Sequence, residues 1–215
     1  MKLFIDTANI EEIKSAIDLG IISGVTTNPT IISRENKKFE DVITEIEKLL
    51  KDGPIFAEVT STDAEGMVKD GKKLAAFSKR IVVKIPMCKE GLTACKKLSD
   101  EKIPVCMTLV FSEAQGLLAA NAGASYIAPF VGRVDDCGWD GIGLVAGMRE
   151  VLDNFDRPVN IIAASTRNPV HIIELSKIGC DIATVPFKVL LQMIDHPLST
   201  SGLKKFMEDW EKVPK

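Results

Sequence analysis

The stretch IFAEVTSTDAEGMVKDGKKLAAFSKRIVVKIP, residues 55–86, decides the fold. It contains two short runs rich in apolar and β-branched residues, 55–59 and 81–85, which are typical of buried strands. Between them, residues 64–78 have the period of an amphipathic helix and are long enough for the crossover between two parallel strands. The stretch therefore predicts a strand–helix–strand unit of a parallel sheet.

The same alternation extends in both directions along the chain. Six more strands are predicted, at 2–5, 22–25, 104–110, 125–130, 159–163 and 181–185. Further helices are predicted at 10–18, 39–51, 92–98, 113–121, 142–154, 170–177 and 189–194. Glycine favours the left-handed conformation in which many helices end, and it separates a helix from the next strand at Gly20, Gly53, Gly123 and Gly179.

Eight such units favour a single closed (β/α)8 barrel, the TIM-barrel form of the α/β class, over a doubly wound sheet. No linker rich in Pro and Ser and no shift in composition divides the chain, so one domain is predicted over 1–215. We expect residues 1–199 to form the barrel and 200–215 to form an extra C-terminal helix, at 201–212, with a short tail.

The composition argues against two classes of partner. The 215 residues carry 27 basic and 30 acidic side chains, a formal charge of −3 with no long run of one sign, so no nucleic-acid partner is expected. The longest uncharged stretch, 114–132, is interrupted by Gly116, Gly123 and Pro129, which argues against a membrane span. The N-terminal MKLFIDTANIEE has acids where a signal peptide is apolar, so a cytoplasmic location is predicted.

The cysteines and histidines do not form a metal-binding pattern. The five cysteines are scattered without a C-x-x-C pair, so we expect reduced thiols and no metal site. His171 and His196 lie in or beside predicted helices, away from the strand ends, and are not expected to be catalytic.

Lys84 is the foremost candidate for chemistry, because the reactive groups of such a barrel follow the carboxyl ends of its strands. It lies within the apolar strand IVVKIP. Burial disfavours an ammonium, so a lysine there can supply the free amine that attacks a carbonyl carbon. A structural ion pair with a carboxylate such as Glu58 explains the position equally well.

Further polar residues follow other strands. Asp6 and Glu58 can divide acid and base work, although helix capping or ion pairing would also account for them. Arg133 and Arg167, with Ser165, suit an anionic group such as phosphate. Arg133 has the alternative of an ion pair with the acids that follow it at 135 and 136, whereas Arg167 has no acid beside it in the sequence.

Taken together, these segments resemble the small transaldolase family, which includes the fructose 6-phosphate aldolases. The resemblance covers residues 2–210, nearly the whole chain, and rests on FIDTAN, GVTTNPTI, AEV, VVKIP, TLVFS, APFVGR, AASTRNP and FMEDW. It implies a (β/α)8 barrel that acts on sugar phosphates and needs neither a metal nor an organic cofactor.

The resemblance also implies residue roles. Lys84 would form a Schiff base with a ketose phosphate, and Asp6 would remove the proton from the hydroxyl at the bond to be broken. Glu58 and Thr108 would hold the water used in dehydration and hydrolysis. The substrate would be bound by Thr26, Asn28, Phe130, Arg133, Ser165 and Arg167.

Within that family, two positions separate the activities. The aldolase branch typically carries Gln at the position of Glu58 and Tyr at that of Phe130, so this chain resembles the transaldolases. Most short transaldolases have Asn where this sequence has Cys106, and a thiol cannot replace the hydrogen bonds of an amide. Cys88, where Thr is usual, is interpreted as neutral. Two alternatives stay open: an aldolase that releases free dihydroxyacetone, and a weakly catalytic barrel that binds sugar phosphates.

The C-terminal helix is predicted to have an apolar face formed by Leu203, Phe206, Met207 and Trp210. This face exceeds what a solvent-facing tail needs. In the family, the equivalent helix packs on a neighbouring subunit, so the resemblance implies a homo-oligomer, either a pentamer or a decamer.

Overall fold

The computed structural model describes residues 1–214 and confirms the predicted fold. Eight parallel strands close into a barrel in chain order: β1 Lys2–Asp6, β2 Ile22–Thr26, β3 Ile55–Glu58, β4 Ile81–Pro86, β5 Val105–Val110, β6 Tyr126–Pro129, β7 Asn160–Ala163 and β8 Ile182–Val185. The register from Lys2↔Ile182 to Ile5↔Val185 joins the first strand to the last. The predicted strands agree with the observed ones to within one residue at each end.

Helices surround this sheet. They are α1 Ile10–Asp18, α2 Pro29–Ile32, α3 Phe39–Leu49, α4 Ala64–Phe77, α5 Lys89–Asp100, α6 Glu113–Asn121, α7 Val131–Asp136, α8 Gly141–Leu152, α9 Pro169–Lys177, α10 Phe187–Ile194 and α11 Pro197–Trp210. The two short helices α2 and α7 were not predicted. The last helix begins at Pro197, four residues before its predicted start, with His196 as its N-cap. No helix in residues 1–214 combines the length and apolar character that crossing a bilayer requires.

Two apolar regions hold the barrel together. One lies between the strands and the helices and includes Val42, Ile43 and Ile46 of α3. The other fills the interior of the barrel and consists of Phe4, Phe56, Val82, Cys106, Ala128, Ile162 and Ile182. Burial of both regions from water is the main stabilising contribution to such a fold.

The four glycines predicted to end helices all have positive φ, between 73° and 106°. A Cβ at Gly53 or at Gly123 would meet an atom at 2.3 Å, but at Gly53 that atom is the backbone carbonyl oxygen of Ser23, whereas at Gly123 it is the side-chain oxygen of Ser99. The tight approach of the turn at Gly53 to β2 therefore requires glycine.

Candidate active site

A layer of mostly polar side chains lies directly above the apolar interior of the barrel. Alternate residues of a strand point to the same face, so the residue two positions after each interior residue also points inward. In chain order this layer consists of Asp6, Thr26, Glu58, Lys84, Thr108, Phe130, Ala164 and Thr184. It includes six of the ten residues predicted for the site, drawn from six different strand ends.

Most of these side chains line one cavity of about 140 Å³ at the carboxyl end of the barrel. Of the ten predicted residues, the cavity is lined by Asp6, Thr26, Asn28, Lys84, Thr108, Phe130, Arg133 and Ser165. Glu58 contacts Lys84 from the side and lines a neighbouring cleft of about 280 Å³. Arg167 lines neither of the two.

Lys84 is 6% exposed and is held by two oxygens. Its Nζ lies 3.2 Å from Oε2 of Glu58 and donates to the backbone oxygen of Thr27 at 2.9 Å. The ion pair that the sequence suggested as a structural alternative is therefore present. It also leaves the lysine amine at the cavity wall, next to a carboxylate that can accept its proton.

Two hydrogen-bonded hydroxyl groups lead to the carboxylate of Asp6. Thr26 Oγ1 donates to Oδ1 of Asp6 at 2.7 Å, and Thr184 Oγ1 lies 2.5 Å from Thr26 Oγ1. A hydroxyl has one proton to donate, so when Thr26 donates to Asp6, Thr184 donates to Thr26. The N-cap of α1 is Asn9, whose Oδ1 accepts two backbone N–H groups, so Asp6 does not cap that helix.

Burial raises the pKa of Asp6 above its ordinary value, while the Lys84 ammonium and the Thr26 hydroxyl oppose that rise. A carboxylate with a raised pKa is a stronger base once it is ionised, and the positive charge in the same cavity favours the ionised form. These surroundings suit a group that takes a proton from a substrate hydroxyl.

Thr108 and Cys106 form part of the wall beside Lys84. Thr108 Oγ1 is fully buried and has no hydrogen-bond partner within residues 1–214, so it is available to a water molecule or a substrate. Cys106 pairs with Lys84 in the register of β4 and β5. Burial raises the pKa of its thiol to about 12, so at neutral pH it is a neutral group of weak hydrogen-bonding capacity.

The two arginines differ in their surroundings, since Arg133 lines the cavity and Arg167 does not. The guanidinium of Arg133 lies over the ring of Phe130, 4.9 Å from its centroid, and within residues 1–214 it makes none of the ion pairs suggested as its alternative. Arg167 does have an acidic partner, since its Nη2 lies 2.7 Å from Oδ2 of Asp136 on α7. Only the fold brings these two together, because they are 31 positions apart.

The turn after β7 has an unusual backbone. Ser165 has φ of +60°, a conformation that costs a non-glycine residue energy and that is often found at functional sites. Asn28, after β2, caps α2 by accepting from the N–H of Ile31, which leaves its amide N–H groups free for a ligand.

Sequence reasoning missed two residues of this region. Thr184 has no charge to mark it in the sequence, although its position two residues after interior Ile182 is inward-facing. His171 was set aside because it lies on a helix. Its side chain nevertheless lies within hydrogen-bond distance of Asp135 and of the backbone of Arg167, and nothing in the local sequence signals that contact.

Known proteins resemble this chain at two levels. A solved structure of thiamine phosphate pyrophosphorylase from Pyrococcus furiosus superposes with a TM-score of 0.57 and covers 86% of this chain and 85% of that one. The two sequences are only 16% identical, so the likeness is one of fold alone. Curated proteins called probable transaldolase are much more similar. Those of Geotalea uraniireducens, Moorella thermoacetica and Caldicellulosiruptor saccharolyticus are 52%, 54% and 55% identical, each aligned over at least 99% of both chains.

A family model described as transaldolase/fructose-6-phosphate aldolase matches residues 3–215. This match covers almost the whole chain. The protein therefore belongs to the transaldolase/fructose-6-phosphate aldolase family.

Proposed function

We propose that this protein is a transaldolase that transfers a dihydroxyacetone unit from a ketose phosphate, sedoheptulose 7-phosphate or fructose 6-phosphate, to an aldose phosphate. This is a reaction of the pentose phosphate pathway. The observation that carries the proposal is the buried Lys84 amine at the cavity wall, with Glu58 at 3.2 Å and Asp6 in the same cavity. The names of the relatives, probable transaldolase, support the same activity.

The reaction begins at Lys84. Its ammonium gives a proton to Glu58, and the free amine adds to the keto carbon of the substrate to form a carbinolamine. Loss of the carbinolamine hydroxyl as water leaves an iminium ion, with Glu58 supplying the proton. The Thr108 hydroxyl, which has no hydrogen-bond partner in the part of the chain that the structure describes, positions this water.

Asp6 then cleaves the carbon–carbon bond. Its carboxylate takes the proton from the hydroxyl next to the bond, the electrons of that bond move to the iminium, and an aldose phosphate leaves. The three-carbon unit remains on Lys84 as an enamine. Addition of the enamine to an acceptor aldehyde, with proton return from Asp6 and hydrolysis, releases the new ketose phosphate and restores the lysine.

Phe130 favours transfer over release of free dihydroxyacetone. It gives the cavity wall an apolar ring with no hydroxyl to orient water towards the enamine. A tyrosine, the residue of the aldolase branch, would add such a group at this position. The bound unit therefore persists until an acceptor arrives.

Trapping the imine tests the chemistry. We expect that incubation with fructose 6-phosphate and borohydride adds a dihydroxyacetone-sized mass to the Lys84 peptide, and that Lys84→Met shows no such gain. Turnover of fructose 6-phosphate should require an acceptor such as erythrose 4-phosphate. Free dihydroxyacetone formed without an acceptor would identify an aldolase instead, and ligand binding without any adduct would identify a weakly catalytic binding barrel.

We also propose that the protein is a homo-oligomer. The apolar face of α11, formed by Leu203, Phe206, Met207 and Trp210, is between 57% and 73% exposed in the single chain. Four large apolar side chains on one helix face are more than an isolated chain leaves in water without cost. A second copy of the chain covering this face accounts for them.

A further inference from the structure

His171 lies in the first turn of α9, and both of its ring nitrogens have partners. Nδ1 accepts the backbone N–H of Arg167 at 3.3 Å, and Nε2 lies 3.1 Å from Oδ2 of Asp135. Since the backbone group can only donate and the carboxylate accepts, the ring is the tautomer with its proton on Nε2. The side chain of His171 is 13% exposed, whereas that of Asp135 is 36% exposed.

The two partners of His171 belong to the two elements that supply the anion-binding groups. Asp135 is on α7, the helix that carries Arg133, and Arg167 is in the turn that carries Ser165. Asp135 is itself fixed, because its Oδ1 accepts the N–H of Gly141 at the start of α8. The imidazole therefore connects the turn to a helix held in place from its other side.

The helix and the turn also touch directly, so small movements at the imidazole would be transmitted. The N–H of Gly132 donates to the carbonyl of Ser165 at 3.1 Å. A Cβ on Gly132 would lie 2.3 Å from that carbonyl oxygen and 2.5 Å from Nε of Arg167. With so little space, the positions of Arg133, Ser165 and Arg167 depend on each other.

We propose that His171 is a positioning residue for the phosphate of the substrate, holding the turn with Ser165 and Arg167 at a fixed distance from Arg133. This rests on the proposed function and on the expectation from the sequence that those three residues bind the phosphate of the substrate. The imidazole does not touch the substrate. It fixes the backbone N–H of Arg167 and the carboxylate of Asp135, and through them the two halves of the anion site.

Three substitutions separate the two contacts of the ring. His171→Asn places an amide oxygen near the position of Nδ1, so it keeps the acceptor for Arg167. His171→Gln places an amide N–H near Nε2, so it keeps the donor to Asp135. His171→Ala removes both. Comparison of the three assigns any effect to one contact or the other.

The measurement is kcat/KM for fructose 6-phosphate and for fructose, both with glyceraldehyde as an acceptor that has no phosphate. We expect His171→Ala to lower the ratio of kcat/KM for fructose 6-phosphate to kcat/KM for fructose by about fivefold. This factor corresponds to one hydrogen bond of about 1 kcal/mol. His171→Asn should keep most of the wild-type ratio. The inhibition constant of inorganic phosphate should rise in the variants in which the ratio falls. Equal losses for both substrates, or a lower melting temperature with an unchanged ratio, would overturn the proposal.

Arg133→Met serves as the parallel control. If Arg133→Met lowers the ratio and no His171 variant does, the positioning role is wrong while the phosphate site stands. If Arg133→Met leaves the ratio unchanged, the assignment of the phosphate to Arg133, Ser165 and Arg167 is itself wrong. Should His171→Ala not fold, His171→Gln, which fills more of the same space, decides the question by the same ratio.

Discussion

At the scale of single residues, the proton affinity of Asp6 is the quantity on which the proposed reaction depends. Its carboxylate shares the cavity with the Lys84 ammonium, the guanidinium of Arg133 and the neutral thiol of Cys106, while Glu58 pairs with Lys84 nearby. None of these donates a hydrogen bond to Asp6. The hydroxyl of Thr26 does so, and Thr184 lies behind it.

We predict that Thr184→Val moves the acid limb of the kcat/KM profile to higher pH by a few tenths of a unit. Asp6 must be ionised to take a proton, so activity falls as pH drops through its pKa. Without the Thr184 hydroxyl, the hydrogen bond from Thr26 to Asp6 loses about 10–30% of its strength. This bond then stabilises the carboxylate less, so the pKa of Asp6 rises. Stopped assays between pH 4 and 8 measure this limb.

Two further variants control this experiment. Thr184→Ser keeps the hydroxyl and should restore the original limb. Thr26→Val removes the bond to Asp6 itself and should shift the limb further than Thr184→Val does. A shift to lower pH in Thr184→Val, or no shift in either valine variant, would show that the hydroxyl chain does not support the carboxylate.

Among the charged residues predicted for the site, Lys84 and Asp6 line the cavity and Arg167 does not. Lys84 within an apolar strand and Asp6 at a strand end are conspicuous because burying an ionisable group among β-branched neighbours is costly unless the group is paired or hydrogen-bonded. Thr184 is not conspicuous, because threonine is an ordinary strand residue. Arg167 and Asp136 form a pair that no local pattern shows, since the closed barrel alone brings their helix and turn together.

At the scale of elements, strands and long helices were predictable and single-turn helices were not. Periodicity needs about two turns to emerge, so α2, with four residues, and α7, with six, have no pattern of their own. Both follow a strand at the carboxyl end of the barrel, and α7 carries Arg133. The elements nearest the chemistry are thus the ones that hydrophobic patterning describes least.

Turn glycines give a prediction at this scale. Gly53→Ala should lower the free energy of unfolding by at least about 2 kcal/mol, because the left-handed conformation costs a residue with a Cβ about 1–2 kcal/mol and the Cβ also meets the Ser23 carbonyl oxygen. Gly20→Ala is the matched control, since φ is +73° there but the added Cβ has no atom of residues 1–214 within 4 Å apart from those of its chain neighbours. It should cost only about 1 kcal/mol. Urea unfolding curves compare the two, and equal losses would contradict the role assigned to the close approach.

At the scale of the whole molecule, the apolar face of α11 sets the expected assembly. We predict that Phe206→Glu together with Trp210→Glu reduces the sedimentation coefficient to that of a single chain, because a buried carboxylate in an apolar interface is costly. Ser201→Glu, an exposed position on the same helix, should leave assembly unchanged. An unaltered sedimentation coefficient in the double variant would rule this face out as the interface.

The pairing of β1 with β8 means that the first and last strands of the barrel need each other. A growing chain that already contains Asp6 and Lys84 has an open sheet edge and lacks the hydroxyl of Thr184 until its final strand is made. Partial folding from the N-terminus would therefore assemble a lysine and a carboxylate without the support that the carboxylate has in the closed barrel. In a refolding experiment, the rate at which full turnover returns would report the docking of β8 rather than the collapse of the earlier strands.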